Sequence, residues 1–537
     1  MRAHTESAAG EHPEVNPWII AVSVMLSTFM EVLDTTVVNV SLPHIAGSLS
    51  ATVDESTWAL TSYLVANAII LPLTGWLANH FGRKRLLMAS VTGFTVASFF
   101  CGLAPNLPTL IIFRVIQGAC GGGLQPLSQA LLLEAFKPED RGKAMGFWGL
   151  GIVFAPMLGP VIGGWLTDSY SWRWVFYINI PVGVMSIIMT RLFIFDPPYI
   201  RRSSGRVDYW GIGMLAVGVG ALQVVLDKGQ EEDWFSSHWI LALAITSCLA
   251  LLIFVLYEIF GTDHPVVHLR VFQLRTYSTG VLLMTVVGFV LYGSLVLVPI
   301  FLQTMLGYPA LQAGFAMAPR GLGSFLAMPF VGAIMAKFDP RKLLALGVVF
   351  ASFTLMQLSW LNLNAGYWDI FWPQLIQGLA LGFLFVPLTT TTMDPIPREE
   401  MGNATSIFNL MRNLGGGMGI AGVTTLLVRR EQTHANNLGA NINAYSLPTQ
   451  TMIDRMRHAF MSQGADGFTA TRRTYGALFG VVERQAVVLS FVEVFWLLAL
   501  IFVAILPLIL LMTRPRRASS ALTSVRTGIS ARGTLPP

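Results

Sequence analysis

Apolar stretches of about twenty residues recur along the chain from Trp18 to Met512, with short polar segments between them. Each stretch is long enough to cross a hydrocarbon core of about 30 Å, since an α-helix rises about 1.5 Å per residue. The only sizeable gap in this pattern runs from Arg429 to Gln485. The pattern predicts fourteen transmembrane helices, at 18–43, 55–78, 86–104, 107–133, 144–166, 174–196, 208–227, 238–259, 277–303, 309–336, 343–362, 368–392, 403–428 and 488–512.

Basic residues cluster in the even-numbered loops between these spans, whereas the short odd-numbered loops hold little beyond Arg173 and Lys228. Cytoplasmic loops of membrane proteins carry an excess of lysine and arginine, so we expect both termini in the cytoplasm. The residues of the even-numbered loops are Arg83, Lys84, Arg85, Lys137, Arg141, Lys143, Arg201, Arg202, Arg206, Arg270, Arg275, Lys337, Arg341, Lys342 and Arg398.

Three sequence matches relate the two halves of the chain at a separation of about 260 residues. Transporters are commonly built from two related halves that meet around a central cavity. The repeat pairs spans 1–6 with spans 9–14 and leaves spans 7 and 8 as an insertion. The matching segments are 75–87 with 332–344, 116–118 with 376–378, and 126–127 with 387–388.

We therefore predict an all-α polytopic membrane protein in which two six-helix bundles are joined by two inserted transmembrane helices. The predicted divisions are a cytoplasmic tail at 1–17, a first bundle at 18–200, the inserted helices with their linkers at 201–275, a second bundle at 276–512 with an extracytoplasmic loop at 429–487, and a basic, disordered cytoplasmic tail at 513–537.

The composition agrees with this class of protein. Hydrophobic residues make up 54% of the 537 residues and charged residues 12%, about half the charged share of a soluble domain. The net charge of +5 comes from clusters between spans, so it does not indicate nucleic-acid binding. Cys101, Cys120 and Cys248 all lie inside apolar runs, which argues against a disulfide framework or a metal site.

The sequence has none of the His-Glu-x-x-His, Gly-x-Ser-x-Gly or Gly-x4-Gly-Lys patterns of zinc proteases, hydrolases and ATPases. We therefore expect no enzymatic activity, no cofactor and no metal. A receptor or scaffold would not need ionisable residues at several depths in the membrane. Such residues stand in the predicted spans at Glu31, Asp34, Arg114, Arg320, Arg412 and Glu493.

Several segments combine glycine, proline and ionisable residues in or beside the spans, namely Leu33–Pro43, Gly75–Arg85, Arg114–Gly118, Gly151–Gly164, Leu222–Gly229, Asp233–Ser237 and Trp372–Gly378. The first four resemble signatures of the major facilitator superfamily, and within it of the fourteen-helix drug:proton antiporters of the EmrB and QacA kind. The last three resemble the EmrB branch specifically. The resemblance covers nearly the whole chain and implies export rather than uptake.

The resemblance also implies conformational and gating roles in the loop after span 2 and in span 5. Asn79 stands where the family pattern prefers aspartate, which puts a charge-pair gate at that position in question. The fifth-span glycines also have a simple packing interpretation, because small residues let helix backbones approach closely. The residues with these roles are Gly75, Asn79, Gly82, Arg83, Gly151, Pro156, Gly159, Pro160, Gly163 and Gly164.

Asp34, Glu31 and Arg114 are the candidates for proton coupling. A carboxylate can change its protonation between two exposures, whereas arginine keeps its proton, so we expect Asp34 to carry the proton and Arg114 to tune its affinity. The structural alternative for Asp34 is a hydrogen bond to Asn39 or to a neighbouring span. Glu31 shares the helical face of Asp34 and is either a second carboxylate or a cavity-facing polar residue.

A cavity for amphipathic drugs needs mixed polar and apolar walls. Arg320 and Arg412 lie midway along their spans and either bind an anionic group, pair with a carboxylate or bond between helices. The candidate cavity residues are Asn39, Asn67, Gln117, Gln125, Gln129, Arg320, Gln374, Gln377, Asn409 and Arg412.

These observations predict proton-driven efflux of hydrophobic or amphipathic small molecules across the bacterial inner membrane by alternating access. The proton gradient is the expected energy source, and membrane lipids surround the protein. The alternatives are an exporter dedicated to one metabolite, such as a fatty acid, a siderophore or an antibiotic, and a nutrient symporter. In Gram-negative cells the resemblance implies a periplasmic membrane-fusion adaptor and an outer-membrane channel as partners.

Overall fold

The computed structural model describes residues 16–195, 207–262, 265–335, 337–443 and 445–512, and these residues form helices joined by turns and loops. The α-helices of this part of the chain are α1 Pro17–Ser48, α2 Val53–Phe81, α3 Arg83–Leu103, α4 Leu107–Gly121, α5 Leu124–Ala135, α6 Arg141–Ser169, α7 Trp174–Tyr177, α8 Asn179–Phe193, α9 Tyr209–Lys228, α10 His238–Phe260, α11 Arg275–Ile300, α12 Ala310–Ile334, α13 Pro340–Leu358, α14 Tyr367–Met393, α15 Met401–Ala440, α16 Leu447–Ser462 and α17 Gly467–Ile509.

Twelve segments of the described chain are long and apolar enough to cross a membrane, with α4–α5 and α7–α8 each counted as one segment. Helices α12 and α15 occupy the positions of predicted spans 10 and 13, and the 25 residues of α12 extend about 37 Å. Every residue from Met401 to Asn409 in α15 is buried, so this part of the helix contacts protein rather than lipid and needs less apolar character. The all-helical architecture is confirmed for the described residues, and the count of fourteen spans stays a prediction.

The helices form two bundles that correspond to the two halves of the sequence repeat. In the first, α1 packs against α6 and α8, and α4 packs against α2 and α3. In the second, α11 packs against α15, and α14 packs against α12 and α13. The bundles meet where α6 contacts α12 and α14, and where α2 and α5 contact α15. The predicted tails lie outside the described residues, apart from residues 16 and 17.

The inserted helices α9 and α10 pack against each other, and α9 also contacts one helix of each bundle. At its C-terminal end, Asp227 hydrogen-bonds to Thr61 of α2. Just beyond that end, the indole Nε1 of Trp234 donates to Thr425 Oγ1 of α15 at 3.0 Å. The insertion therefore bridges the two bundles on one side of the molecule.

On the opposite side the bundles touch backbone to backbone. We call this side the basic face, because it carries the lysine- and arginine-rich loops after α2, α5 and α12. A Cβ atom added to Gly75 of α2 would lie 2.6 Å from Asn403 Cα of α15, and one added to Gly332 of α12 would lie 2.6 Å from the Gly142 carbonyl oxygen of α6. Because only glycine permits such contacts, the molecule is closed on the basic face.

The linker before α11 is tied to the basic face through His268. Its backbone N–H donates to Asn403 Oδ1 at 3.2 Å, and Asn403 Nδ2 donates to the His268 carbonyl at 3.1 Å. The His268 ring Nδ1 lies 2.9 Å from Glu400 Oε1. The hydrogen bond to Glu400 raises the pKa of His268 above its ordinary value.

Replacing Glu400 by glutamine is expected to lower the thermal stability more at about pH 5.5 than at about pH 9. A histidine whose pKa is raised on folding contributes stability that is full below its unfolded pKa of about 6.5 and is lost as the pH rises through the folded pKa. Melting curves of both proteins in detergent measure this difference. Equal destabilisation at the two pH values would contradict the ion pair.

The segment 429–487 differs from the predicted extracytoplasmic loop because most of it is helical. Helix α15 continues to Ala440, α16 follows, and α17 begins at Gly467 instead of near residue 488. Ala470, Thr474 and Leu478 recur every four residues and are buried, and α17 packs against α15 and α16. The helices extend beyond the predicted spans because hydropathy marks only the apolar part of a helix and misses polar turns beyond it.

Candidate functional site

Asp34 of α1 lies at the centre of a polar cluster inside the first bundle. Arg114 Nη1 of α4 donates to Asp34 Oδ2 at 2.6 Å. Gln117 Nε2 and Asn179 Nδ2 donate to Asp34 Oδ1 at 3.0 and 2.7 Å. All four side chains are at most 1% exposed. The carboxylate therefore has both a counter-ion and neutral donors at a depth that bulk water does not reach.

Arg114 is held by further contacts. Its Nε donates to the Ala59 carbonyl of α2 at 2.9 Å, and its guanidinium carbon lies 4.1 Å from the centre of the Tyr63 ring, a cation–π geometry. Breaking a buried ion pair by removing one partner typically costs about 3–5 kcal/mol. Asp34 and Arg114 therefore act as one unit, and Gln117 belongs to this unit rather than to a separate substrate cavity.

Glu31 lies in a second cluster, which joins the two bundles. Asn67 Nδ2 of α2 donates to Glu31 Oε1 at 3.0 Å, and Gln125 of α5 also hydrogen-bonds to the Glu31 carboxylate. Arg412 of α15 hydrogen-bonds to Gln125 and attracts Glu31 by its charge. The carboxylate of the first bundle thus faces a cation of the second.

Further bonds between the bundles lie about one and two turns before Arg412 on α15. Asn409 Nδ2 donates to Gln129 Oε1 at 2.5 Å, and Thr405 Oγ1 donates to the Pro126 carbonyl at 3.2 Å. A substrate that enters between the bundles must compete with these bonds or bind after they open. The predicted cavity residues that the structure places in this contact are Asn67, Gln125, Gln129, Asn409 and Arg412.

Asn39 belongs to neither cluster. Its side chain is exposed, and the hydrogen bonds of Asp34 go to α4 and α8 instead. Five residues along an α-helix correspond to about 140° of rotation, so Asn39 and Asp34 face different sides of α1. Of the two structural alternatives for Asp34, the bond to a neighbouring span is correct and the bond to Asn39 is wrong.

Arg320, Gln374 and Gln377 lie inside the second bundle. Their side chains are 6%, 0% and 3% exposed. Gln377 Nε2 donates to Ser294 Oγ of α11 at 3.4 Å. Among the described residues, Arg320 has neither a counter-ion nor a side-chain hydrogen bond. The structure therefore separates these three residues from the hydrogen bonds that Asn409 and Arg412 of α15 form with the first bundle.

A sequence model of the Major Facilitator Superfamily matches residues 24–420. The chain belongs to this superfamily. It is 38% identical over 489 residues to the multidrug export protein EmrB of Haemophilus influenzae, covering 91% of this chain and 94% of that protein. It is 37% identical over 499 residues to the fatty acid resistance protein FarB of Neisseria gonorrhoeae, covering 92% and 96%.

The fold agrees with solved structures of the superfamily. A double-tryptophan mutant of XylE superposes with a TM-score of 0.59 at 14% sequence identity, covering 93% of this chain and 96% of that one. At this identity the likeness supports the fold alone. The resemblance to EmrB-like members of the superfamily, predicted from the sequence motifs, is confirmed by the relatives.

The fifth-span glycines of this superfamily member pack against α1. A Cβ atom at Gly151 would lie 2.9 Å from Met25 Cγ, and one at Gly163 would lie 3.0 Å from the Val37 carbonyl oxygen. Gly159 meets the same helix one turn before Gly163. These glycines fix α6 against the helix that carries Asp34, so packing alone accounts for their small size.

The remaining residues of this motif have no such packing requirement. A Cβ atom at Gly164 would have no neighbour within 4 Å. Pro156 and Pro160 lie inside α6, which continues through both positions as one helix. Their predicted role in conformational change and gating stays a prediction.

In the loop after α2, Gly82 and Arg83 have clear structural roles. Gly82 ends α2 with φ of +91°, a conformation that favours glycine. Arg83 is fully buried and forms an ion pair with Glu134 of α5. Asn79 is half-buried and carries no charge, so the ionic contact of this loop lies at Arg83.

Replacing Glu134 by glutamine is expected to destabilise the protein by about 3–5 kcal/mol, because Arg83 would stay buried without its carboxylate. The double change Arg83→Met and Glu134→Leu should restore most of this loss, since apolar side chains need no counter-ion there. Thermal unfolding of the purified proteins measures both effects. If Glu134→Gln were as stable as the wild type, the assignment of a buried Arg83–Glu134 ion pair would be contradicted.

Sequence reasoning missed Asn179, Tyr63 and Glu134. An isolated asparagine in the apolar run of span 6 is a usable signal for Asn179, because polar groups in a membrane need partners. Tyr63 and Glu134 carry no comparable signal. Their roles depend on which helices are neighbours, and that information lies in the packing.

Proposed function

We propose that this chain exports hydrophobic or amphipathic small molecules across a bacterial cytoplasmic membrane in exchange for protons. The observation that carries the proposal is the Asp34–Arg114 pair, a carboxylate and its counter-ion buried together inside one bundle. A buried carboxylate that can gain and lose a proton is the group that a proton-driven cycle requires. The names of the relatives, multidrug export and fatty acid resistance, agree with export of apolar molecules.

Helix α1 provides the link between the proton and the conformation. Protonation of Asp34 removes the charge that Arg114 faces, so the hydrogen bonds around Asp34 must rearrange. Glu31 stands three residues earlier on the same helix and interacts with Arg412 of the other bundle. A small shift of α1 therefore changes the contact that holds the bundles together.

The closed basic face defines one end of the cycle. Opening it requires separation of α2 from α15 and of α6 from α12, which meet through glycines. Rocking of two bundles about a site near the midplane is the common mechanism of such transporters. We assign the present conformation to the state in which the substrate path leads away from the basic face.

We assign the basic face to the cytoplasm, with both termini on that side, because cytoplasmic loops of membrane proteins carry an excess of arginine and lysine. In this proposal the proton gradient supplies the energy, and the chain needs no cofactor and catalyses no chemical reaction. Its immediate partners are the transported molecules, protons and membrane lipids.

The helical extension formed by the end of α15, by α16 and by the start of α17 then projects from the opposite, periplasmic side. Phe468 and Phe479 of α17 are 79% and 68% exposed, which is unusual for large apolar side chains away from lipid. If the cell is Gram-negative, this extension is the surface we assign to a membrane-fusion adaptor that leads to an outer-membrane channel.

Transport against a concentration gradient tests the proposal. Proteoliposomes with the purified chain should accumulate a lipophilic dye or drug when a pH gradient is imposed and should lose it when nigericin collapses the gradient. A panel of chemically unrelated substrates separates a broad exporter from one dedicated to a single metabolite. Accumulation that ignores the pH gradient would contradict proton-driven export.

A further inference from the structure

The sequence repeat places a polar cluster in the second bundle at the position of the Asp34 cluster in the first. A Cβ atom at Gly118 of α4 would meet the carbonyl oxygen of Tyr63 in α2, and one at Gly378 of α14 would meet the carbonyl oxygen of Arg320 in α12. The two glycines are a matched pair of the repeat. Arg320 therefore occupies in the second bundle the place that Tyr63 holds in the first.

The neighbouring glutamines extend this correspondence. Gln117 Nε2 donates to Asp34 of α1 at 3.0 Å, and its repeat partner Gln377 donates through Nε2 to Ser294 of α11 at 3.4 Å. Ser294 thus stands where the first bundle has Asp34. The second bundle therefore has a hydroxyl at the position of the Asp34 carboxylate.

The charges of the two clusters are therefore different. In the first bundle, Arg114 has a carboxylate partner and stacks on Tyr63. In the second, the residue at the place of Arg114 is Gln374, and the cation is Arg320 at the place of Tyr63. The first cluster is neutral as an ion pair, whereas the second carries one positive charge without a carboxylate.

The polar atoms of the second cluster also lack partners. Arg320 Nη1, both amide atoms of Gln374 and the Oε1 atom of Gln377 are buried without a hydrogen bond to any described residue. A buried charge or polar group without a partner is costly, and within a membrane such groups mark binding sites. Arg320 is 94% buried, since 6% of its surface is exposed.

We infer that Arg320, with Gln374 and Gln377, binds the charged head of an anionic amphiphile, such as a carboxylate with an apolar tail. A guanidinium donates two parallel hydrogen bonds to a carboxylate, and the glutamine amides supply further donors. The inference rests on the proposed exporter function and names the substrate class. In this arrangement the first bundle binds the proton and the second bundle binds the charged head of the substrate.

The surroundings of Arg320 fit an apolar tail. Gly321, the next residue of α12, meets the Met157 side chain of α6 in the other bundle. The rings of Phe154 and Phe325 also meet between α6 and α12, with their centres 6.4 Å apart and their planes tilted by 49°. The charged head would therefore lie beside an interface between the bundles that is lined with methionine and aromatic side chains, which adapt to varied apolar shapes.

The inference is tested by the binding of two probes that have the same apolar tail and differ in the charge of the head group. The full chain in phosphatidylcholine nanodiscs, without a proton gradient, is titrated with a fluorescent C16 fatty acid and with its uncharged primary amide. The wild type should bind the carboxylate at least about tenfold more tightly than the amide, as one charge-assisted contact provides. Arg320→Gln should abolish this preference, and Arg320→Lys should keep part of it.

Arg473→Gln, at an exposed arginine of α17, is the matched control and should bind like the wild type. Melting curves verify that the Arg320 variants fold. A wild type without carboxylate preference, or an Arg320→Gln variant that keeps it, would overturn the inference. Loss of the preference in phosphatidylglycerol nanodiscs would make the site a lipid site and overturn the substrate assignment. The experiment measures binding and not transport, so its result does not depend on whether the protein performs uphill export.

Discussion

Asp34→Asn is expected to abolish proton-driven export while the protein still folds and reaches the membrane. Asparagine cannot carry a proton, so the pH gradient loses its coupling to the bundles and uphill transport should fall by about 100-fold or more. The side chain keeps its size and one acceptor oxygen, so Gln117 and Asn179 retain a neighbour of similar shape. Substrate accumulation in proteoliposomes under an imposed pH gradient measures the loss.

The matched control is Asp54→Asn, the same chemical change at an exposed carboxylate in the first turn of α2. It should transport at the wild-type rate. Because Arg114 would lose its counter-ion, Asp34→Asn is also expected to melt at a lower temperature than this control. Uphill transport by Asp34→Asn at the wild-type level would remove Asp34 from the coupling mechanism.

Gly75→Val is expected to prevent closure of the basic face and to stop transport almost completely. A Cβ atom at this position would lie 2.6 Å from Asn403 Cα and 2.7 Å from Asn403 N. Both are backbone atoms, which cannot move aside as a flexible side chain can. Helices α2 and α15 would therefore stay apart, and the protein would remain in the state that is open on the basic face.

Spin-label distances between positions 137 and 398, which are exposed on the basic face, measure this effect in a cysteine-free background. The distribution in Gly75→Val should shift to longer distances than in the wild type. Gly213→Val is the control, since a Cβ atom at Gly213 of α9 has no neighbour within 4 Å. A wild-type distance distribution in Gly75→Val would mean that the bundles close by another route.

The fold class was predictable because lipid imposes a simple rule on sequence. Spans such as 238–259 read as continuous apolar runs, and the observed helix α10 His238–Phe260 follows them within a few residues. Helix α15 shows where the rule fails. Its buried first half contacts other helices, and its polar second half continues beyond the predicted end at residue 428, so hydropathy identifies neither part well.

The site was predictable at the level of residue types. An aspartate and an arginine deep in spans 1 and 4 must be paired or solvated, and the structure joins Asp34 to Arg114 directly. The partners of Glu31 were not predictable, because Arg412 lies in the other half of the chain. Only the packing of α15 against α5 brings these residues together.

The correspondence between Asp34 and Ser294 also needed the structure. The sequence repeat aligns Gln117 with Gln377, but none of the three matching segments lies in span 1 or span 9. The hydrogen bonds from the two glutamines identify the equivalent positions. The hydrogen bonds at equivalent positions of the two bundles thus show which residues have the same role in both halves and which do not.

The most direct test of the central claim is the movement of protons when substrate is added to proteoliposomes that hold a pH gradient. Antiport through Asp34 predicts that a transported substrate collapses the gradient with the wild type and with Asp54→Asn, and that it does not with Asp34→Asn. A wild type that transports substrate without moving protons, or an Asp34→Asn variant that still moves them, would contradict proton antiport through Asp34.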